Sequence, residues 1–181
     1  MNSNQPILNP IKPSGLKWVN FYQLYQSAFP EAERRLEPDL ISMASNPMLS
    51  LNTIDINQEF SGLFNYWNLD SFFYIEHFAI VPHKRNMGIG NDILQNFSKN
   101  KTVVLECELP FDDLAKRRIL FYQKLGFQTY PFPYAQPSYS HDKQPVPMLL
   151  LTNSTDLSEH AFIKISAKIA ESVYSQTKTT E

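Results

Sequence analysis

The sequence predicts a mixed α/β fold in which helices cover both faces of a single sheet. Two observations lead to it: helical segments precede a series of extended segments, and the second half of the chain alternates strands with helices. The length of 181 residues and the 43% hydrophobic composition suit a globular protein with a sizeable core. We therefore expect one domain spanning residues 1–181.

The N-terminal part is predicted to be helical after an irregular arm. Residues 1–15 are rich in Asn and Pro, which leaves room for one short strand only. From Lys17 onward apolar residues recur on one helix face until Pro30 ends the helix. Pro38 suits the first turn of a second helix, which we expect to run to Ala44.

Three extended segments follow these helices. LSLNTIDI (residues 49–56) alternates in polarity, and the polar INQE joins it to FSGLFNYW (60–67), which predicts a hairpin. FFYIEHFAIV (72–81) is apolar on both faces, as expected of a strand at the centre of a sheet. Pro82 ends this strand because proline cannot continue the ladder of hydrogen bonds.

The second half of the chain alternates helix and strand. Its predicted elements are a helix after Gly90, a strand over 102–109, a helix over 112–126, a strand over 147–152 and an amphipathic helix over 156–174. Asp156 is the expected N-cap of the last helix. The stretch from Tyr130 to Pro147 is too rich in proline for a central strand.

Charge and cysteine content exclude several classes of protein. A net charge of −2 offers no general attraction to nucleic acid or to an anionic membrane, and no apolar stretch is long enough to span a bilayer. The first residues lack the apolar region of a signal peptide. The single cysteine, Cys107, excludes an internal disulfide, and the four histidines lack metal-ligand spacing. We expect a cytoplasmic protein with no metal, nucleic-acid or membrane partner.

The segment HKRNMGIG (83–90) joins the central strand to a helix and contains two glycines. A strand that leads through such a turn into a helix leaves free N–H groups at the helix N-terminus, which suits a phosphate. The segment lacks the Gly-Lys-Ser/Thr of a P-loop and the third glycine of a dinucleotide fingerprint. A phosphate-binding loop of another kind and a plain turn both fit these residues.

Several segments resemble the GCN5-related N-acetyltransferase (GNAT) family. RNMGIG (85–90) resembles its pyrophosphate loop, Q/R-x-x-G-x-G/A, and LEC (105–107) and FYQKLGF (121–127) resemble two later blocks in the same order. AFPEAER (28–34) and YAQPSY (134–139) resemble one bacterial subgroup. The resemblance covers roughly residues 19–174 and leaves the acceptor unassigned.

The resemblance implies a mostly antiparallel sheet that is splayed between its fourth and fifth strands, with acetyl-CoA in the gap. These strands are residues 72–81 and 102–109. The pantetheine arm would pair with the backbone of Ala79, Ile80 and Val81. The pyrophosphate would lie on the amides of the loop, formed by Arg85, Asn86, Met87, Gly88, Ile89 and Gly90.

The implied activity is transfer of an acetyl group from acetyl-CoA to a primary amine by direct attack in a ternary complex. This reaction needs a base for the amine, a donor for the oxyanion and a proton for the departing thiolate. Tyr122 matches the tyrosine that the family places near the coenzyme sulfur as general acid. A core tyrosine with a satisfied hydroxyl is the alternative interpretation.

Two carboxylates are candidates for the base. Glu76 ranks slightly first, because burial in an apolar strand is expected to raise its pKa toward the working range. Glu106 resembles the strand-five glutamate that some family members use, and either residue could act through a water molecule. A structural ion pair with Arg117 or Arg118 is the alternative for both.

The acceptor site is less well defined by the sequence. Its candidate residues are Glu33, Tyr134, Gln136 and Tyr139, for which a packed surface loop is the alternative. Small metabolites, antibiotics, peptide N-termini and protein lysines all stay open as acceptors. A catalytically silent acyl-CoA sensor and a structural domain that binds nothing are the rival functions, and the apolar stripe of the last helix leaves a homodimer open.

Overall fold

The computed structural model describes residues 5–139 and 143–175. Its strands are β1 (Ile7–Pro10), β2 (Leu49–Ser50), β3 (Asn52–Ile56), β4 (Glu59–Asn68), β5 (Phe73–Ile80), β6 (Val103–Glu108), β7 (Gln128–Thr129), β8 (Tyr134–Gln136) and β9 (Val146–Thr152). Its α-helices are α1 (Gly15–Ala28), α2 (Glu37–Met43), α3 (Ile89–Ser98), α4 (Asp113–Lys124) and α5 (Glu159–Ile169). A π-helical turn, Ala170–Tyr174, continues α5.

The strands form one mixed sheet in the order β1-β3-β4-β5-β6-β9-β7, with β2 paired to β4 and β8 paired to β9. Of the paired strands in the described ranges, only β5 and β6 run parallel. The β3–β4 hairpin turns through Asn57 and Gln58, both with positive φ, as a tight hairpin turn requires. The expected mixed α/β sheet is confirmed.

The sheet opens between β5 and β6, the strands expected as the fourth and fifth. Their pairing is limited to Phe73 with Val103, Tyr74 with Val104 and Ile75 with Leu105. Both strands continue, β5 to Ile80 and β6 to Glu108, without pairing to each other. The backbone edges that face each other across this gap are therefore available to a ligand.

A β-bulge lies where the two strands separate. Asn65 pairs with His77 and Tyr66 with Ile75, so Glu76 is the extra residue of β5. The insertion shifts the alternation of side chains by one position. Glu76 and His77 consequently point to the same face of the sheet, where Glu76 meets Arg35 and His77 meets the rings of α1.

Two hydrophobic cores lie on the two faces of the sheet, so the expectation of helices on both faces is confirmed. Residues of α1, α2 and α5 pack on one face, among them Phe21, Leu40 and Phe162. Residues of α3 and α4 pack on the other, among them Leu94 and Ile119. The last helix thus buries its apolar stripe against its own sheet.

Two local predictions need revision. The segment predicted as one strand over 49–56 divides into β2 and β3. Asp156 is not the N-cap of α5; the Ser158 hydroxyl accepts the Ala161 N–H at 3.3 Å, while Asp156 occupies a left-handed turn with φ 57°. The proline-rich stretch contributes β8, an outer strand beside β9, which agrees with the prediction that this stretch forms no central strand. In the described ranges no helix combines the length and apolar character needed to cross a bilayer.

Candidate active site

The glycine loop leads directly into the N-terminus of α3. Gly88 is the N-cap residue with φ 82°, a conformation that glycine adopts without strain, and Asn86 also has positive φ. The first helical hydrogen bond joins the Asp92 N–H to the Gly88 carbonyl at 3.0 Å. The N–H groups of the preceding turn have no partner within the helix, and residues 85–88 are exposed. This arrangement suits an anion.

The basic residues beside the loop differ in their availability. Lys84 is held by the Glu59 carboxylate at 2.9 Å and by the Ser61 hydroxyl at 3.1 Å. Arg85 is exposed, and its Nε donates to the Ile80 carbonyl at 3.1 Å. Arg85 is therefore the better placed cation for a phosphate at this loop.

The backbone of β5 faces the gap at alternate residues. The Val81 N–H donates to the Ser61 carbonyl at 3.0 Å, so it faces β4. The Ala79 carbonyl also faces β4, since its oxygen occupies the space that a side chain at Gly62 would need. Of the three residues expected to bind pantetheine, only Ile80 directs its N–H and C=O toward the gap, and alternation adds Phe78.

Tyr122 lies on the face of the sheet covered by α3 and α4, in the same core as Cys107. Burial raises the pKa of its phenol; Cys107 and Glu108 raise it further, and Arg118 opposes the rise. The phenol is therefore protonated at neutral pH and can donate a proton. Burial likewise raises the pKa of the Cys107 thiol to about 12, so this cysteine is an inert core residue.

Glu76 is part of a closed ion pair, which contradicts the expected rise of its pKa. Arg35 donates to its Oε1 at 2.9 Å, Trp67 to its Oε2 at 2.7 Å and Tyr139 to its Oε1 at 3.0 Å. Burial alone would raise the pKa of Glu76, but Arg35 and the other donors outweigh it and hold the pKa below its usual value. With a side chain 1% exposed, this carboxylate offers no oxygen to an incoming amine.

The partner of Glu76 is Arg35, and neither Arg117 nor Arg118 takes that role. Arg118 forms an ion pair with Glu108 at the end of β6. Arg35 also donates to the Val173 carbonyl at 2.9 Å, and its guanidinium lies 4.6 Å from the ring of Tyr139. It thereby ties the α1–α2 loop (residues 29–36) to the bulge and to the C-terminal turn.

Glu106 has a different environment, although it lies only one residue beyond the last β5–β6 pair. Its side chain is half-buried; the Tyr134 hydroxyl donates to Oε1 and the Tyr174 hydroxyl donates to Oε2 at 3.0 Å. Burial and the nearby charge of Glu76 raise the pKa of Glu106, hydrogen bonds from tyrosines oppose this rise, and the pKa lies at about 7. Glu106 can therefore exchange a proton near neutral pH.

The four acceptor-site candidates occupy different environments. Tyr134 is half-buried beside Glu106, whereas Tyr139 is buried against Glu76. Gln136 is 3% exposed, and its Nε2 finds no hydrogen-bond partner in the described part of the chain. Burial and then the charge of Glu108, the last residue of β6, raise the pKa of Glu33.

Sequence reasoning missed three residues of this region: Arg35, Tyr74 and Tyr174. Arg35 belongs to the charged cluster after Pro30, and Tyr74 lies in the central strand, but neither position carries a local signal for its partner. The hydroxyls of Tyr74 and Tyr174 lie 2.9 Å apart, although the two residues are separated by 100 positions in the sequence.

A shallow depression of about 460 Å³ lies beside the start of the glycine loop. It is lined by Asn20, Gln23, Leu24, Ser27, Phe60, Val81, Pro82 and His83. These residues include neither Tyr122 nor Glu106, so the depression lies apart from both candidate catalytic residues. Among residues 5–139 and 143–175, no group of three His, Cys, Asp or Glu side chains could hold a metal ion.

Comparison with known proteins identifies relatives by structure. No protein-family model and no curated protein sequence matches the chain. A solved structure from Bacteroides thetaiotaomicron, assigned to the GNAT family of acetyltransferases, is 31% identical, with a TM-score of 0.86 over 93% of this chain and 98% of that chain.

Two more distant structures share the fold alone. The ribosomal-protein-S18-alanine N-acetyltransferase from Escherichia coli is 14% identical, with a TM-score of 0.59 over 85% of this chain and 99% of its own. An aminoglycoside 6′-N-acetyltransferase complexed with coenzyme A is 12% identical, with a TM-score of 0.58 over 81% of this chain and 95% of its own.

Proposed function

The chain belongs to the GCN5-related N-acetyltransferase family, and from this we propose that it transfers an acetyl group from acetyl-CoA to a primary amine. Attack is direct, in a ternary complex. One observation supports this most: Glu106, with a pKa of about 7, lies where β5 and β6 separate and a ligand could enter the sheet. On sequence grounds we further propose that residues 1–181 form one domain that works in a bacterial cytoplasm.

Acetyl-CoA would bind along the loop and the gap. The pyrophosphate is proposed to accept hydrogen bonds from the amides of residues 86–90, helped by the exposed guanidinium of Arg85 and the dipole of α3. The Arg85 N–H already donates to the Pro82 carbonyl at 3.3 Å, so Arg85 takes part through its side chain. The pantetheine arm would pair with the edge of β5 through the Ile80 N–H, because the Ile80 carbonyl already accepts a hydrogen bond from Arg85 Nε. One distant relative, the aminoglycoside 6′-N-acetyltransferase, was solved with coenzyme A.

Glu106 is proposed as the general base. A primary amine of the lysine type has a pKa of about 10 and is mostly protonated at pH 7, so it must lose a proton before it can attack. The Glu106 carboxylate takes this proton directly or through a water molecule. We do not propose Glu76 as the base, because its oxygens are closed off and its pKa is lowered.

The transfer then proceeds through a tetrahedral intermediate. The amine nitrogen bonds to the carbonyl carbon of the thioester, and free N–H groups on the gap edge of β5 are the proposed donors to the oxyanion. When the carbon–sulfur bond breaks, the thiolate takes a proton from Tyr122 and leaves as coenzyme A. The nitrogen of the new amide gives up its remaining extra proton to solvent, and solvent returns a proton to Tyr122. Tyr122 lies on the α3/α4 face and Glu106 on the other face. We propose that both reach one ligand through the open part of the sheet.

Calorimetric titration with acetyl-CoA tests the first part of this proposal, with ATP and NAD as controls. We expect saturable binding of acetyl-CoA alone; no binding by folded protein would contradict the proposal. An assay with a panel of amine acceptors, in which the release of free thiol is measured, then separates an enzyme from an acyl-CoA sensor. Binding without turnover on any amine would favour the sensor.

A further inference from the structure

We propose that the C-terminal turn belongs to the catalytic apparatus, because its Tyr174 hydroxyl holds the Glu106 carboxylate in place and favours the ionised form. The inference rests on the proposed function in one respect, namely that Glu106 is the base. Tyr174 is a positioning residue, since it contacts the base and acts on the reaction through it.

The fold of the turn explains how Tyr174 reaches Glu106. The helix α5 continues into the π-helical turn Ala170–Tyr174, in which Ser172, Val173 and Tyr174 are all buried. The wider π-helical turn changes the direction of the side chains relative to α5, and such turns occur frequently at functional sites. Arg35 fixes the turn from the sheet side through its bond to the Val173 carbonyl.

The hydroxyl of Tyr174 joins two strands where they separate. It donates to Glu106 Oε2 on β6 at 3.0 Å and lies 2.9 Å from the Tyr74 hydroxyl on β5. A tyrosine has one hydroxyl proton, so when Tyr174 donates to Glu106, Tyr74 is the donor in the second bond. Tyr134 donates to the other carboxylate oxygen, so both oxygens of Glu106 are oriented.

The titratable groups facing Glu106 come from β5, β8 and the C-terminal turn, whereas β9 places the apolar Leu150 opposite it. They are Tyr74 and Glu76 from β5, Tyr134 from β8 and Tyr174 from the C-terminal turn. Burial raises the pKa of all three phenols, so they are protonated donors throughout the neutral range. Loss of the Tyr174 hydroxyl removes one bond that favours the carboxylate, so the pKa of Glu106 must rise.

The test is a pH titration of the Glu106 carboxyl group. NMR of the full-length protein with ¹³C-labelled glutamate side chains monitors the titration. Glu106→Gln identifies the signal by removing it. In the wild-type protein we expect a titration midpoint of about 7. Tyr174→Phe should raise that midpoint by about one pH unit, and Tyr74→Phe should also raise it, because the Tyr74 hydroxyl favours the carboxylate as well.

Tyr130→Phe is the matched control, because its hydroxyl donates to the Ser154 carbonyl and has no bond to Glu106. It should leave the midpoint unchanged. An unshifted midpoint in folded Tyr174→Phe would overturn the proposal. If that variant fails to fold, an unshifted midpoint in Tyr74→Phe would do the same.

A second readout separates this inference from the proposed function. If Glu106 is the base, the acidic limb of the pH profile of kcat/KM must move upward in Tyr174→Phe together with the NMR midpoint. A shifted midpoint in a protein that acetylates no amine would retain the link between Tyr174 and Glu106 and would contradict the enzyme. A limb that stays in place while the midpoint moves would contradict Glu106 as the base.

Discussion

At the residue scale, two carboxylates with similar sequence contexts have opposite properties. Glu76 and Glu106 each interrupt an apolar strand, and both side chains point to the same face of the sheet. A full positive charge beside Glu76 stabilises its ionised form, whereas Glu106 receives only neutral phenol donors. A neighbouring cation lowers the pKa of a buried carboxyl group more than neutral hydrogen-bond donors do, and so offsets more of the rise caused by desolvation. Of these two glutamates, only Glu106 therefore titrates near neutral pH.

The role of Tyr122 is tested at the same scale. Tyr122→Phe should lower kcat by roughly one to three orders of magnitude with little change in acetyl-CoA affinity, because it removes the proton donor and keeps the ring. Steady-state kinetics and calorimetry measure both quantities. Tyr66→Phe, on the same face of the sheet, is the control and should retain activity. Unchanged kcat in Tyr122→Phe would rule out the general-acid role.

At the element scale, the junction of β5 and α3 combines features of both elements. The strand leaves a free backbone edge, and the helix leaves free N–H groups at its first turn. Gly88 joins them in a left-handed conformation with no atom within 4 Å of where a Cβ would stand. The space beside Gly88 is thus open to a ligand.

Gly88→Glu should therefore reduce acetyl-CoA affinity by at least about 100-fold, since it fills this space and places a negative charge beside the pyrophosphate. Calorimetric titration measures the loss. Gly126→Glu is a matched control, because Gly126 also has positive φ and an open Cβ position but lies after α4. It introduces the same backbone strain and charge elsewhere, and binding should persist. Normal binding in Gly88→Glu would mean that the phosphate site is misplaced.

At the scale of the whole molecule, Arg35 connects parts of the chain that are distant in sequence. It joins the α1–α2 loop to the bulge of β5 and to the C-terminal turn. Both partners of the Arg35–Glu76 pair are essentially unexposed. Removing one partner leaves a buried charge without compensation, which costs far more than loss of a surface pair.

Arg35→Met should accordingly lower the free energy of unfolding at pH 7 by about 3–5 kcal/mol. The double variant Arg35→Met/Glu76→Gln should recover a large part of that loss, because no buried charge remains. Urea denaturation of the wild-type protein and these variants measures the free energy of unfolding of each. Lys116→Met, which removes an exposed pair with Asp113, should change little. Equal destabilisation in the single and double variants would show that the loss comes from packing.

The sequence by itself determined the mixed sheet, most helix positions and the glycine loop. These features depend on periodicity and on residues adjacent in the chain, such as Gly88 and Gly90. It also selected Glu106 and Tyr134 as candidates, although without the bond between them.

Tertiary structure alone decided how the two glutamates differ. The partner of Glu76 is 41 positions away and that of Glu106 at the C-terminal turn is 68 positions away. The bulge that directs Glu76 toward Arg35 is a property of strand pairing and has no local signature. Proton affinity depends on the charges that folding brings within a few ångströms, so residues of the same type acquire different pKa values only in the folded chain.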